Sequence, residues 1–195
     1  RTARQLTERV HAYGTKIFLQ LSAGFGRVTN RIPQGDLPIA PSPIPYRWDP
    51  SIICRAISTQ EVQALVKAMG QAASIARDCG FDGIEIHAMH EGYLLDQFAM
   101  ACCNSRTDQY GGSLDNRIRL AVEIVEEIHA ACGKDFPVIM RYSTKSFMKD
   151  FGQGALPGED FVEMGRDLEE GLEIARRLEQ AGYATLDADV GCYDS

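Results

Sequence analysis

Several absences narrow the possible functions of this chain. No apolar run approaches the roughly 20 residues that span a bilayer, and the first residues, Arg1–Gln5, lack the apolar core of a secretory signal. The formal net charge of −7 is opposite in sign to the surface that nucleic-acid phosphates attract. We therefore expect a cytoplasmic protein that binds neither a membrane nor nucleic acid.

The sequence also lacks the Cys-x-x-Cys spacing that is typical of metal sites. Its six cysteines are Cys54, Cys79, Cys102, Cys103, Cys132 and Cys192. We expect reduced, mostly structural thiols and no metal. An initiator methionine is missing too, and the chain stops just past a strand-like run. We therefore expect residues 1–195 to be a fragment of a longer protein.

What the chain does contain is the pattern of a globular α/β protein, with 45% hydrophobic and 24% charged residues. Short, mainly apolar runs predict strands covered on both faces. The four predicted strands are Lys16–Leu21, Asp82–His87, Pro137–Tyr142 and Thr185–Val190. A short helix that ends near Gly14 precedes the first of them.

Three longer helices are predicted between these strands. The first starts at a capping box formed by Ser58 and Glu61 and ends at Gly80. Its apolar face consists of Val62, Leu65, Val66, Met69, Ala73 and Ala76. The second lies between Ser113 and Gly133, and it is predicted to bury Leu120, Ala121, Ile124, Val125 and Ile128. The third runs through Leu168, Leu172, Ala175 and Leu178 to Gly182.

The βαβαβαβ order predicts a parallel sheet, closed as a (β/α)8 TIM barrel or open and doubly wound. No Gly-x-Gly-x-x-Gly follows a strand, which weakens the open dinucleotide-binding alternative. Polar residues at successive strand ends are typical of barrel active sites. Here they are Gln20, His87, Arg141 and Asp189. We therefore predict a partial barrel.

The long segment 27–57 is predicted to be an ordered functional loop at the barrel mouth. It contains Pro33, Pro38, Pro41, Pro43 and Pro45. A disordered linker is the alternative. The segment is rather apolar for a linker, because it also contains Ile39, Ile44, Tyr46 and Trp48.

The stretch Gly83–Phe98 is the most informative part of the chain. It begins as a buried strand and ends in a polar loop, and it carries His87, His90 and Tyr93. A buried polar group without a partner costs roughly 1–3 kcal/mol, so apolar packing does not explain this cluster. Histidines that bond a backbone carbonyl or water are the simpler alternative. A zinc site at the His-x-x-His spacing lacks a convincing third ligand nearby.

A ligand at the barrel mouth would meet complementary groups from two strands. Gln20 presents an amide that donates and accepts side by side, and Arg141 presents a cationic fork. Together they match the polar edge of a flavin, whose reduced, anionic form a cation stabilises. The alternative is that Arg141 pairs with Glu85 or Asp189 inside the barrel.

Beside that edge, His87 and His90 could both donate to a substrate carbonyl. This polarises a conjugated C=C bond so that its β carbon accepts hydride. Tyr93 could then supply a proton to the α carbon. By contrast, the spacing of Arg106–Ser113 supports only a tightly hydrogen-bonded turn with Ser113 as a helix cap.

These pieces, in this order, resemble the old yellow enzyme family of FMN-dependent oxidoreductases. The matching stretches are Gln20-Leu21 with Gly26-Arg27, Gly83–Phe98, Arg106–Arg117 and Met140-Arg141. Other stretches are similar to the branch of enoate reductases, 2,4-dienoyl-CoA reductases and bile-acid-inducible flavin oxidoreductases. These are His90–Tyr93, Ser146–Lys149, Gln153–Glu159, Gly165–Gly171 and Gly191–Ser195.

The resemblance implies site roles for five residues. Gln20 and Arg141 would contact the FMN ring. His87 and His90 would hold the substrate carbonyl, and Tyr93 would be the proton donor. Within the Gly83–Phe98 stretch the chain departs from the family pattern, because an extra residue, Glu91, stands between the second histidine and the tyrosine.

The resemblance also implies that the chain covers about strands three to six of the barrel, with the strands that bind the FMN phosphate beyond Ser195. FAD and a 4Fe-4S cluster would belong to other parts of the full-length protein.

The implied function is an ene-reductase that uses NADH or NADPH to reduce the C=C bond of an enoate, an enoyl-CoA or a steroid-like enone. A flavin-free TIM-barrel lyase or aldolase, with Glu85 and the histidines as acid and base, is an alternative. A non-catalytic barrel fragment is another. The sequence leaves a homo-oligomer possible and does not specify the substrate.

Overall fold

A parallel sheet lies at the centre of the computed structural model, which describes residues 2–32, 34–90 and 92–195. In chain order the helices and strands are α1 (Thr2–His11), β1 (Phe18–Ser22), β2 (Ile39–Ala40), β3 (Arg55–Ala56), α2 (Thr59–Asp78), β4 (Gly83–Met89), α3 (Leu94–Ala99), α4 (Leu114–Cys132), β5 (Val138–Ser143), β6 (Met148–Asp150), β7 (Gln153–Gly154), α5 (Leu168–Ala181) and β8 (Thr185–Asp189). The sheet order is β1-β4-β5-β8, and each neighbouring pair is parallel. The predicted alternation of strands and helices is confirmed.

The predicted strands differ from the observed ones only at their ends. β1 begins at Phe18 rather than Lys16. The Asp82 carboxylate accepts a hydrogen bond from the Ile17 amide at 2.9 Å, so that amide is taken by a side chain instead of the neighbouring strand. β4 continues past His87 to Met89.

The helix caps predicted at Ser58, Ser113 and Gly182 are present. Ser58 Oγ accepts from the Glu61 amide at 3.2 Å, and the Glu61 carboxylate accepts from the Ser58 amide at 2.8 Å, which completes the capping box of α2. The Ser113 side chain accepts from the Asn116 amide at the start of α4. Gly182 ends α5 in the left-handed conformation, with φ of 112°.

The apolar core lies between one face of the sheet and the helices that cover it. Its buried members include Ile84, Ile86, Val138 and Met140 from the strands, with Val62, Val66, Leu120, Ile124 and Ile128 from α2 and α4. On α5, Ile174 and Leu178 are buried, whereas Leu168 and Leu172 are exposed. The opposite face of the sheet is more open, and it carries the polar residues of the strand ends.

Some features of the fold were not predicted. The polar loop expected after β4 leads directly into the short helix α3, and β6 pairs with β7 as a small antiparallel hairpin.

The segment 27–57 is folded where the structure describes it. Its short strands β2 and β3 pair in parallel, and Ala40, Ile44, Tyr46 and Cys54 enter a second buried cluster with Met100 and Cys103. Pro33 lies outside the described residues.

Among the helices that the structure describes, none combines the length and apolarity required to traverse a bilayer.

A charged clamp ties the segment 27–57 to the turn before α4. Arg106 donates to the Pro41 carbonyl at 3.1 Å and also to the Asp108 carboxylate at 2.9 Å. Asp108 accepts further hydrogen bonds from the Thr59 hydroxyl at 2.7 Å and from the Tyr110 amide at 3.1 Å. The tightly bonded turn predicted for Arg106–Ser113 is therefore confirmed, and the clamp explains why an arginine and an aspartate stand in it.

This clamp predicts a loss of stability in acid. The hydrogen bonds from Arg106, together with those from Thr59 and Tyr110, hold the pKa of the Asp108 carboxyl well below its usual range. A lowered folded-state pKa stabilises the fold above the unfolded value of about 3.9, and this contribution is lost as the pH falls below it. We expect Asp108→Asn to flatten the dependence of the free energy of unfolding on pH below about pH 4.

Urea denaturation at a series of pH values measures this dependence. The conservative variant Thr59→Ser keeps a hydroxyl donor for Asp108 and should retain the wild-type slope. Equal slopes for Asp108→Asn and the wild type would contradict the role of the clamp.

Candidate active site

The predicted polar residues lie at the carboxyl-terminal parts of neighbouring parallel strands. In the order β1, β4, β5 and β8 they are Gln20, His87, Arg141 and Asp189. In the strand register Gln20 lies opposite Glu85, and its Nε2 donates to the Glu85 carboxylate at 2.7 Å. The carboxylate therefore orients the amide, so that Gln20 presents its carbonyl oxygen as well as its remaining N–H to a ligand.

His87, His90 and Tyr93 form one cluster of rings at the end of β4. The ring centroids of His87 lie 4.8 Å from those of both His90 and Tyr93, and the centroids of His90 and Tyr93 are 5.3 Å apart. Phe25 adds an edge contact to Tyr93, with centroids 5.0 Å apart. The structure thus brings the three predicted catalytic side chains together. Glu91 lies outside the described residues.

Asp189 connects this cluster to Arg141. Its Oδ2 lies 3.0 Å from His90 Nδ1 and 3.4 Å from Arg141 Nε, and its Oδ1 accepts from the Ser143 hydroxyl at 2.8 Å. The carboxylate therefore lies within ion-pair distance of both the His90 imidazole and the Arg141 guanidinium. From the sequence, Glu85 and Asp189 were alternative partners of Arg141 inside the barrel. Among the described contacts, Arg141 pairs with Asp189 and not with Glu85.

Arg141 nevertheless keeps hydrogen-bonding capacity. Its side chain is 37% exposed. Besides Asp189, the Asp187 carboxylate lies 3.8 Å from Arg141 Nε, but a guanidinium has five N–H donors. Together with Gln20 it supplies donors, an acceptor and a positive charge on the open face of the sheet. This set of groups fits the polar edge of a flavin ring.

The last residues of the chain close over the same cluster. The hydroxyl groups of Tyr93 and Tyr193 are 3.2 Å apart. Tyr193 also packs edge-on against Trp48, with ring centroids 5.9 Å apart, and its carbonyl accepts from Arg47 Nε at 3.0 Å. Two residues of the segment 27–57 therefore position Tyr193 beside the tyrosine that the sequence singled out.

Gln97 on α3 holds the backbone of two turns next to the site, one at Phe25–Arg27 and one at Gly92. Its amide oxygen accepts from the Arg27 amide at 3.1 Å, and its Nε2 donates to the carbonyls of Phe25 at 3.1 Å and Gly92 at 2.5 Å. At Gly26, where φ is 58°, a Cβ atom would lie 2.3 Å from the Gln97 oxygen. Glycine is required there because the Gln97 amide occupies the space of any side chain.

A buried ion pair supports the same turn. Arg166 Nη2 and Asp96 Oδ1 are 2.6 Å apart, and both side chains have 0% exposure. The second oxygen of Asp96 accepts from the Gly92 amide at 2.9 Å, and Arg166 also donates to the Ser143 carbonyl at 2.8 Å. The pair therefore links the turn before Tyr93 to the end of β5.

All six cysteines are free thiols in the structure. Burial raises the pKa of the Cys192 thiol to about 12 and that of Cys54 to about 11, so both are protonated at neutral pH. Within residues 2–32, 34–90 and 92–195, no three histidine, cysteine or acidic side chains are grouped so that they could hold a metal ion.

A sequence profile of the NADH:flavin oxidoreductase / NADH oxidase family matches residues 1–186. This chain belongs to that family. Membership confirms the resemblance to the old yellow enzymes, and the family's FMN chemistry agrees with the groups on the open sheet face.

Two curated members of the NADH:flavin oxidoreductase family show the relationship in sequence. The chain is 59% identical to a cinnamate reductase of Clostridium sporogenes, over 100% of this chain and 29% of the relative. It is 38% identical to an NADH oxidase of Thermoanaerobacter brockii, over 98% of this chain and 27% of the relative. The chain thus spans less than a third of the length of either protein.

Solved structures show the same relationship in the fold. Morphinone reductase in complex with tetrahydroNAD superposes with a TM-score of 0.73 at 30% identity, covering 95% of this chain and 52% of that one. A histamine dehydrogenase from Rhizobium superposes with a TM-score of 0.76 at 27% identity, covering 98% of this chain and 26% of that one. The neighbours are TIM barrels, so the predicted partial (β/α)8 barrel is confirmed.

Several residues of the site were not identified from the sequence. Tyr193 was noted only as part of the similar ending Gly191–Ser195, and Asp96, Gln97 and Arg166 were given no role. A signal existed for three of them: Tyr193 is a tyrosine shortly after the last strand, and Asp96 and Gln97 are polar residues inside an otherwise apolar run. Neither signal shows which partner such a side chain meets.

Proposed function

We propose that this chain forms part of the active site of an FMN-dependent ene-reductase, which uses NADH or NADPH to reduce the C=C bond of an α,β-unsaturated carbonyl compound. The observation that carries the proposal is the ring cluster of His87, His90 and Tyr93 at the end of β4, next to the sheet face that carries Gln20 and Arg141. Bound FMN would supply the capacity to accept and deliver hydride.

The protein groups would hold the cofactor and the substrate in fixed positions. Gln20, oriented by Glu85 at 2.7 Å, and Arg141 would bond the polar edge of the flavin ring. His87 and His90 would donate to the substrate carbonyl, and the Asp189 carboxylate would lie within ion-pair distance of His90, 3.0 Å from its Nδ1. Donors aimed at an oxygen that gains negative charge lower the barrier to reduction.

Tyr93 would deliver the proton to the α carbon of the substrate. The Tyr193 hydroxyl, 3.2 Å from that of Tyr93, is placed to hydrogen-bond the donor. Phe25, Trp48 and the two tyrosines give the site aromatic walls, which favour a flat, apolar substrate. With a cinnamate reductase among the relatives, an aryl-substituted enoate is the first substrate to test.

Further parts of the proposal concern the full-length protein. FAD and a 4Fe-4S cluster would be carried outside this chain, the segment 27–57 would shape the substrate pocket, and the protein would be cytoplasmic and could form a homo-oligomer. Flavin extraction and iron determination on the full-length protein test the first of these.

The decisive experiment purifies the full-length protein without oxygen and follows enoate-dependent oxidation of NADH. We expect flavin absorbance in the wild type. We expect His87→Ala to raise the half-saturating enoate concentration by about 10-fold or more, which corresponds to about 1.4 kcal/mol of lost binding, with the flavin retained. His11→Ala is the matched control. His11 pairs with Asp82 at 2.8 Å. Asp82 directly precedes β4, so this histidine lies at the opposite end of the strands from the site.

A colourless protein would favour a flavin-free lyase or aldolase. A yellow protein in which His87→Ala and wild type respond equally to enoate would remove the assigned role of His87.

A further inference from the structure

Two adjacent cysteines lie in the turn that follows α3. Cys102 Sγ and Cys103 Sγ are 3.8 Å apart. Cys103 is buried, in the cluster that includes Tyr46, Cys54 and Met100, whereas Cys102 is partly exposed. The proposed ene-reductase function uses neither thiol.

The surrounding backbone holds the two thiols in this arrangement. The Cys103 amide donates to the Met100 carbonyl at 3.1 Å, which closes the turn. The Asn104 side chain donates to the carbonyls of Phe98 and Tyr110, each at 2.7 Å. The turn is therefore anchored on both sides, and the sulfur atoms face each other because of the fold.

The two thiols differ in reactivity. The hydrogen-bonding contact between the two thiols lowers the pKa of Cys102, whereas the same contact, together with burial, raises the pKa of Cys103. The thiolate is the reacting form of cysteine. The more exposed member of the pair is thus also the one whose pKa is lowered, and the sulfur of the buried member lies 3.8 Å from it.

We propose that Cys102 and Cys103 form a reversible redox site, a vicinal dithiol that is converted to a disulfide by a low-molecular-weight disulfide such as oxidised glutathione. The Cys102 thiolate attacks one sulfur of the oxidant, which forms a mixed disulfide and releases one glutathione thiolate. Cys103, after losing its proton to that thiolate or to solvent, attacks Cys102 Sγ and releases the second glutathione. The two cysteines are oxidised by two electrons, and the oxidant is reduced to two thiols.

The geometry makes this disulfide easy to reduce again. Neighbouring Cα atoms are about 3.8 Å apart, below the range of about 4.4–6.8 Å for ordinary disulfides. A disulfide outside this range is strained, and strained disulfides have the more oxidising potentials that are typical of labile, regulatory bonds. The pair is therefore suited to switching rather than to permanent cross-linking.

The test uses the full-length protein, incubated in glutathione buffers from fully reduced to fully oxidised, alkylated, and cleaved before aspartate. Cleavage at Asp96 and Asp108 releases residues 96–107, which contain Cys102 and Cys103 and no other cysteine. We expect this peptide to lose both alkylation sites and the mass of two hydrogen atoms in oxidised buffer, and to regain both sites after dithiothreitol. The peptide 49–77, which contains only the buried Cys54, is the internal control and should form no disulfide.

Two variants examine the order of the steps. We expect Cys103→Ser to accumulate a glutathione adduct on Cys102, because the second thiol is missing, and Cys102→Ser to form no adduct. A wild-type peptide that keeps both alkylation sites in fully oxidised buffer would overturn the proposal. So would a stable glutathione adduct on wild-type Cys102. Peptide mapping of the wild type decides the matter even if a variant does not fold.

Discussion

Replacing Tyr93 with phenylalanine is expected to lower the rate of enoate reduction by about 10²- to 10⁴-fold, the usual contribution of a positioned proton donor. The change removes only the hydroxyl group. The ring and its contacts with Phe25 (5.0 Å between centroids) and His87 (4.8 Å) remain available. Reduction of the enzyme by NADH requires no proton from this group, so we expect that half-reaction to keep its rate.

Stopped-flow absorbance of the flavin in the full-length protein separates the two half-reactions. Tyr13→Phe is the matched control, because Tyr13 is 88% exposed and should leave both rates unchanged. If Tyr93→Phe slowed both half-reactions equally, or neither, the hydroxyl would not be the proton donor.

Replacing Arg166 with methionine is expected to lower the free energy of unfolding by about 3–5 kcal/mol, the cost of leaving one partner of a buried ion pair uncompensated. Methionine roughly preserves the length of the side chain, so the loss comes mainly from charge and hydrogen bonds. Asp96, with 0% exposure, would then have only the Gly92 amide at 2.9 Å among its described partners. That amide belongs to the turn before Tyr93, so the structure of the site should also loosen.

Chemical denaturation of the full-length protein, followed by a signal from this domain, measures the effect. Arg176→Met is the control on the same chain. Arg176 pairs with Glu173 at 3.4 Å and is 68% exposed, and such surface pairs contribute only about 0–1 kcal/mol. A change of similar size in both variants would show that the buried pair does not stabilise the fold.

The element order was readable from the sequence because each signal is local. Ser58 and Glu61 are three residues apart, and the apolar face of α2 repeats at helical spacing, so both can be recognised without knowing the fold. The helix α3 was missed because it is short. Its six residues, Leu94–Ala99, are too few for a helical period to stand out, and Asp96 and Gln97 are polar although they are buried.

Only part of the candidate site could be recognised from the sequence. Gln20, His87 and Arg141 stand at the ends of strands, and parallel strands bring their carboxyl ends to one edge. The contacts that support the site could not be predicted in this way, because they join residues that are far apart in sequence. Tyr93 and Tyr193 are 100 residues apart in sequence, and Arg166 lies 70 residues from Asp96. No local pattern encodes such pairs.

By itself, the sequence determined the order of the four sheet strands and of the long helices between them, several helix caps, the barrel class and the polar groups at the strand ends. These follow from periodicity and from residue chemistry over a few neighbouring positions. The tertiary structure alone decided that Asp189 joins His90 to Arg141, that Tyr193 lies beside Tyr93, and that Asp96 and Arg166 support the turn before Tyr93. These contacts depend on how the strands twist and on which loops cover them, and many distant residues fix that geometry jointly.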